Sequence, residues 1–119
     1  MPKDDSVYVA QMLDMARKAR ELVASKDRAA YDADETLRLA LTHLVQVIGE
    51  AARHVSAEYC AAHPKVPWSV IIGMRHRVVH DYMAVDEDVV WHTIQEDLPE
   101  LIALLEPLAP PDEAEPGVR

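Results

Sequence analysis

Cysteine, glycine and aromatic side chains are scarce in this sequence. One cysteine, Cys60, stands among 119 residues. It can form no internal disulfide and no cysteine-ligated zinc site, and it fits a reducing cytoplasm. Three glycines and no phenylalanine argue against a turn-rich sheet, and there is no glycine-rich loop to cradle a nucleoside triphosphate. No apolar run approaches the ~18 residues of a membrane span. Acids and bases are scattered through residues 1–25, unlike a signal peptide. The expectation is a soluble cytoplasmic protein of one domain, large enough for a core without staples.

Positive charge is also in short supply: 12 Lys and Arg face 21 Asp and Glu, a net charge of −9. The deficit is local. Residues 50–82 hold four cations and three acids, whereas residues 83–119 hold one cation and ten acids. A basic site is therefore compatible with an acidic protein, although charge-driven binding to long nucleic acid, and to DNA in particular, is not expected.

What is abundant is Ala, Leu and Val at helical spacing. Val9, Met12, Leu13, Ala16 and Val23 predict a first helix from Asp5 to Val23. Ser25–Ala30 reads as a polar connection. Asp32 with Glu35 resembles a capping box, opening a second helix that runs to about Tyr59 with Leu37, Leu41, Leu44, Ile48, Ala51 and Val55 as its stripe. Gly49 marks a tight helix crossing or a slight bend. Two prolines make 63–67 a loop, and a third helix is expected from Pro67 or Trp68 to near His80. Asp86, Glu87 and Asp88 open a fourth helix, which Pro99 should kink. The fold class expected is all-α, an up-and-down four-helix bundle over residues 1–106, with a flexible acidic tail over 107–119.

Residues 73–82, Gly-Met-Arg-His-Arg-Val-Val-His-Asp-Tyr, concentrate cations, imidazoles and a phenol. On a continuous helix His76 and His80 share a face, Arg75 and Tyr82 share a neighbouring one, and Arg75 and His80 lie about 140° apart. A metal on the two histidines would need a third ligand from His43, His54 or Glu50, and no zinc-protease glutamate follows His76. Ser69 has no strand–turn–helix elbow for nucleophilic catalysis. A polar line of His43, Gln46, Glu50 and Arg53 is either a solvated face or places Glu50 as partner to Arg75 or Arg77. Arginine with histidine, without a metal, suits cleavage of RNA. The 2′-hydroxyl is the built-in nucleophile, histidine moves protons near neutral pH, and arginine stabilises phosphate charge. A helix end merely decorated with cations is the competing reading.

Arg75-x4-His80-x-Tyr82 resembles the motif of the HepT-like branch of the HEPN superfamily. The flanking Ile48-Gly49-Glu50-Ala51-Ala52, Val66-Pro67-Trp68, Ile71 to Arg75 and Val85-Asp86 agree in order and spacing. His76 departs from the asparagine frequent in that branch. The resemblance implies a homodimeric, metal-independent endoribonuclease without cofactor, the toxin of a type VII-like toxin–antitoxin module acting on an RNA such as tRNA or mRNA. Its partner would be a minimal nucleotidyltransferase antitoxin, which in some members of the family adds AMP to the motif tyrosine. Carried over, Arg75 and His80 are catalytic, His76 and Arg77 supporting, and Tyr82 the modification target. The alternative is a non-catalytic module whose Arg/His cleft holds a nucleotide or a partner.

Overall fold

The computed structural model describes residues 4–81 and 84–109. Helix α1 (Asp5–Val23) forms as its periodicity predicts, with the Asp4 carboxylate accepting from the Ser6 N–H. Its stripe of Val9, Met12, Leu13, Ala16, Ala19 and Val23 is buried. The polar connection of the sequence reading contains a short helix, α2 (Arg28–Ala33), capped by Asp27. The fully buried Tyr31 anchors it, and one buried aromatic leaves no periodic signal. Asp32 is consequently inside α2, paired with Arg28 at 2.9 Å. The cap of the next helix, α3 (Glu35–Arg53), is Asp34, which accepts from the Leu37 N–H.

Helix α3 stops at Arg53 rather than near Tyr59. Ser56 caps a separate helix, α4 (Ala57–Ala62), by accepting from the Tyr59 N–H. The Ser56 backbone N–H and hydroxyl both donate to Asp5, at 2.9 and 2.7 Å. The start of α1 is thereby pinned just past the end of α3, so the two helices pack antiparallel at the centre of the molecule.

The expected third helix is broken twice. Helix α5 (Trp68–Ile72) ends at Gly73, and α6 (Met74–Val78) ends where Val79 turns extended, at φ −121° and ψ 103°. Strand β1 (Val79–Asp81) then pairs antiparallel with β2 (Ala84–Val85), and the Asp86 N–H donates to the Val78 carbonyl at 2.7 Å. Adjacent β-branched Val78 and Val79 favour that exit from the helix. This ribbon is the one sheet among the described residues; the fold is all-α.

The fourth arm is α7 (Glu87–His92), a π-helical turn (Thr93–Asp97) and α8 (Leu98–Leu105), followed by a 3-10 turn (Glu106–Leu108). The expected kink at Pro99 takes the form of that wide turn. The Leu98 N–H reaches back five residues to the Thr93 carbonyl. The next carbonyl, Ile94, would look to Pro99, which has no N–H. Arg20 supplies the donor, at 3.3 Å from Ile94 O and 2.6 Å from Gln95 Oε1.

The core is one cluster. Met12, Leu41, Val45, Ile48, Ile71, Met74, Val78, Val90, Ile94, Leu98 and Leu105 all lie within it, and Leu108 and Ala109 still pack against its edge. Burial on this scale, at about 25 cal/mol per Å² of apolar surface, is what holds such short helices in place. No described helix is long and apolar enough to cross a membrane.

Candidate functional site

Met74 and Val78 are buried in the core, so the three residues between them turn outward: Arg75, His76 and Arg77 are all exposed. They do not share one place. Arg75 faces α3 and edges an open cleft of about 490 Å³ with His43, Gln46, Val47, Glu50 and Arg53. Arg77 lines a smaller hollow, about 240 Å³, on the other side of α6, whose rim also carries His92, Asp97 and Glu100 from the fourth arm. A separation of two residues, about 200° on a helix, accounts for the divergence.

Glu50 lies at the centre of the larger cleft. Its Oε1 is 3.2 Å from Arg75 Nη1. Arg53 grips both oxygens, Nη2 at 2.6 Å from Oε2 and Nε at 3.3 Å from Oε1. His54 Nε2 stands 3.1 Å from Oε2, and its ring stacks on Tyr8 at 5.3 Å between centroids. The Arg53 hydrogen bonds, reinforced by His54, hold the Glu50 carboxyl below its ordinary range, against a smaller opposing effect of desolvation. Of the two open readings of Glu50, its pairing with Arg75 is therefore the one the structure adopts.

Gly49 makes this approach possible. A Cβ there would stand 3.1 Å from the Ile71 carbonyl and 3.6 Å from Arg75 Cγ. The glycine thus serves a tight helix crossing, not a bend.

The exit of the chain from α6 corrects the helical-wheel picture. His80 lies in β1, past the last helical residue, so His76 and His80 are not successive turns of one helix face. The two-turn relation between Arg75 and Tyr82 lapses for the same reason. Tyr82 and the side chain of His80 lie outside the described residues. Among the described residues, no three His, Cys, Asp or Glu side chains converge on a metal-sized site. Arg53 is legible in the sequence as part of the polar line and His54 as a metal donor; their pairing with Glu50 is not, although i,i+3 and i,i+4 spacing puts both within its reach.

An exposed guanidinium at the edge of an open cleft, on a helical bundle, is chemistry suited to an anion such as phosphate. A family model described as "Ribonuclease HepT-like" matches residues 12–108. The chain belongs to that family, and it is an RNA-cleaving enzyme. Among its relatives, "Probable ribonuclease HepT" of Thermococcus cleftensis is 27% identical over 106 residues, 89% of this chain and 94% of that protein. "Putative RNase MJ1380" of Methanocaldococcus jannaschii is 25% identical over 99 residues, 83% and 91% of the two chains. "Putative RNase TTE0752" of Caldanaerobacter subterraneus is 38% identical over 68 residues, 57% of this chain and 61% of that one. No solved structure matches significantly.

Proposed function

We propose that this chain is a metal-independent endoribonuclease with Arg75 and His80 as catalytic residues, His76 and Arg77 in support, and the toxin of a two-gene module in the cytoplasm. The observation that carries the reading is Arg75, exposed at the edge of an open cleft in a chain of the ribonuclease HepT-like family. In the reaction the RNA 2′-oxygen bonds to phosphorus while its proton passes to a base. The P–O5′ bond breaks, and the leaving 5′-oxygen takes up a proton. The products carry a 2′,3′-cyclic phosphate and a 5′-hydroxyl. Two proton-transfer groups serve this best, and one chain supplies one motif histidine. A two-fold homodimer presents His80 twice at no extra sequence cost. A nucleotidyltransferase antitoxin would silence the enzyme by transferring AMP from ATP to the Tyr82 phenol oxygen, with release of pyrophosphate.

The direct test is purified protein with synthetic single-stranded RNA in EDTA. Cyclic-phosphate ends are expected. RNA left intact, or cleavage abolished by the chelator and restored by a divalent cation, would overturn the mechanism.

A further inference from the structure

Glu50 presents a chemical puzzle. A carboxylate is the wrong charge for a cleft that must take a phosphodiester, yet it lies against the one arginine of α6 that edges that cleft. An ordinary i,i+3 pair with Arg53 on an exposed helix face contributes little to stability, and it would not require Arg75 to be drawn in from another helix. The details of the contacts suggest a division of labour. Arg53 binds side-on to both oxygens and His54 adds a third contact, so the carboxylate is fixed by its own helix. Tyr8 of α1 backs the His54 ring. Arg75 makes a single contact, through Nη1 alone, at 3.2 Å. A guanidinium has five N–H donors in a rigid plane. One spent on Glu50 fixes the orientation of the plane and leaves a fork for two phosphate oxygens.

We propose that Glu50 is the positioning residue for Arg75: a carboxylate clamped by Arg53 and His54 that holds the Arg75 guanidinium in the orientation needed to receive the scissile phosphate. It does not touch the substrate. Gly49 belongs to the same device, because its missing Cβ lets α5 and α6 approach α3 closely enough for the contact. The inference rests on the ribonuclease reading.

A Glu50→Gln variant separates positioning from charge and from folding. Gln keeps the shape and removes the negative charge, so RNA should bind at least as tightly while kcat falls. A misoriented group commonly costs about 10²-fold. A merely structural carboxylate would not produce tighter binding with slower turnover. The decisive measurement is a double-mutant cycle under single-turnover conditions. If Glu50 acts through Arg75, adding Glu50→Gln to Arg75→Ala should cause no further loss. Glu50→Asp, one methylene short, should recover part of the rate. Additive losses in the cycle, or an unchanged kcat in Glu50→Gln, overturn the proposal while wild-type cleavage keeps the ribonuclease reading intact. A Glu50→Gln protein that melts well below wild type also overturns it, by showing a structural role. A wild-type protein that leaves RNA uncut overturns both.

Discussion

Gly49 lies so close to Ile71 that a Cβ on the glycine would stand 3.1 Å from the Ile71 carbonyl oxygen. In an isolated helix, replacing glycine by alanine gains about 1 kcal/mol. Here that gain must be set against pushing the α5 backbone outward by a few tenths of an ångström. Gly49→Ala is expected to show no rise in Tm, and to lose activity because Arg75, whose Cγ lies 3.6 Å from the same point, moves with the displaced segment. A clear rise in Tm with full activity would show that the crossing has slack.

Arg75 and His80 should separate activity from stability. Arg75 is exposed, and an exposed ion pair such as its contact with Glu50 contributes little to stability. Arg75→Ala and His80→Ala should both remain folded by circular dichroism. Loss of a positioned proton-transfer group lowers the rate about 10²–10⁴-fold. Arg75→Lys should restore only part, since an ammonium lacks the planar fork. Undiminished cleavage by His80→Ala would place the chemistry elsewhere.

The bounds of α1 were legible because Val9, Met12, Leu13, Ala16 and Val23, all buried, repeat at helical spacing. Helix α2 was not, since its one buried residue, Tyr31, sits in an otherwise polar stretch. The motif helix was misread for a related reason. Its apolar residues fit a helical wheel through Val79, and the wheel is blind to the Gly73 break and to the β-branched pair that turns the chain into β1. That error carried into the site, where the stacking of His76 on His80 and of Arg75 on Tyr82 assumed a helix that ends at Val78. The pairing of Glu50 with Arg75 stood among the options because a charge beside Gly49, Ala51 and Ala52 needs a partner. Its choice over Arg77 depended on which way α6 rotates, and buried Met74 and Val78 decide that only in three dimensions.

The proposed homodimer rests on the need for two proton-transfer groups. Light scattering at micromolar concentration should give about twice the 13.3 kDa monomer mass. A monomer that is fully active at that concentration would sink the shared-cleft arrangement.

Stability should fall off at both ends of the pH scale, for different reasons. Burial pushes the Tyr31 hydroxyl well above the ordinary phenol range, and its hydrogen bond to Glu87 adds to the effect. The unfolded chain then releases this proton first, so the contribution of Tyr31 is complete below about pH 10 and is lost as pH rises beyond it. At the acid end, the bonds from Ser56 hold Asp5 low, and those from Arg53 hold Glu50 low. Their contributions are present above the ordinary carboxylate range and vanish as pH drops below about 4. Tyr31→Phe should flatten the alkaline limb while costing about 1.5–3 kcal/mol at neutral pH, the usual cost of a hydrogen bond to a charged group. Urea titrations across pH would show this. An alkaline limb unchanged in Tyr31→Phe would assign it to another group.

The final prediction concerns Tyr82 as the off-switch. It follows β1 directly, two residues after His80 in the motif and outside the described residues. An AMP attached to its phenol would add an anion and a nucleoside to a segment joined to α6 through the three residues of β1. A phosphate carried there is an anion that can compete with RNA for cationic side chains through charge-assisted hydrogen bonds, and the nucleoside adds bulk beside the motif. Neither effect requires a change of fold. Unmodified Tyr82→Phe protein should therefore keep most of its RNase activity yet escape silencing by a nucleotidyltransferase partner supplied with ATP. Intact-mass spectrometry after co-expression reads the outcome as one or more AMP increments on wild type and none on Tyr82→Phe. An increment that persists in Tyr82→Phe would place the modification on another residue. Silencing without any increment would mean that the partner inhibits by forming a complex.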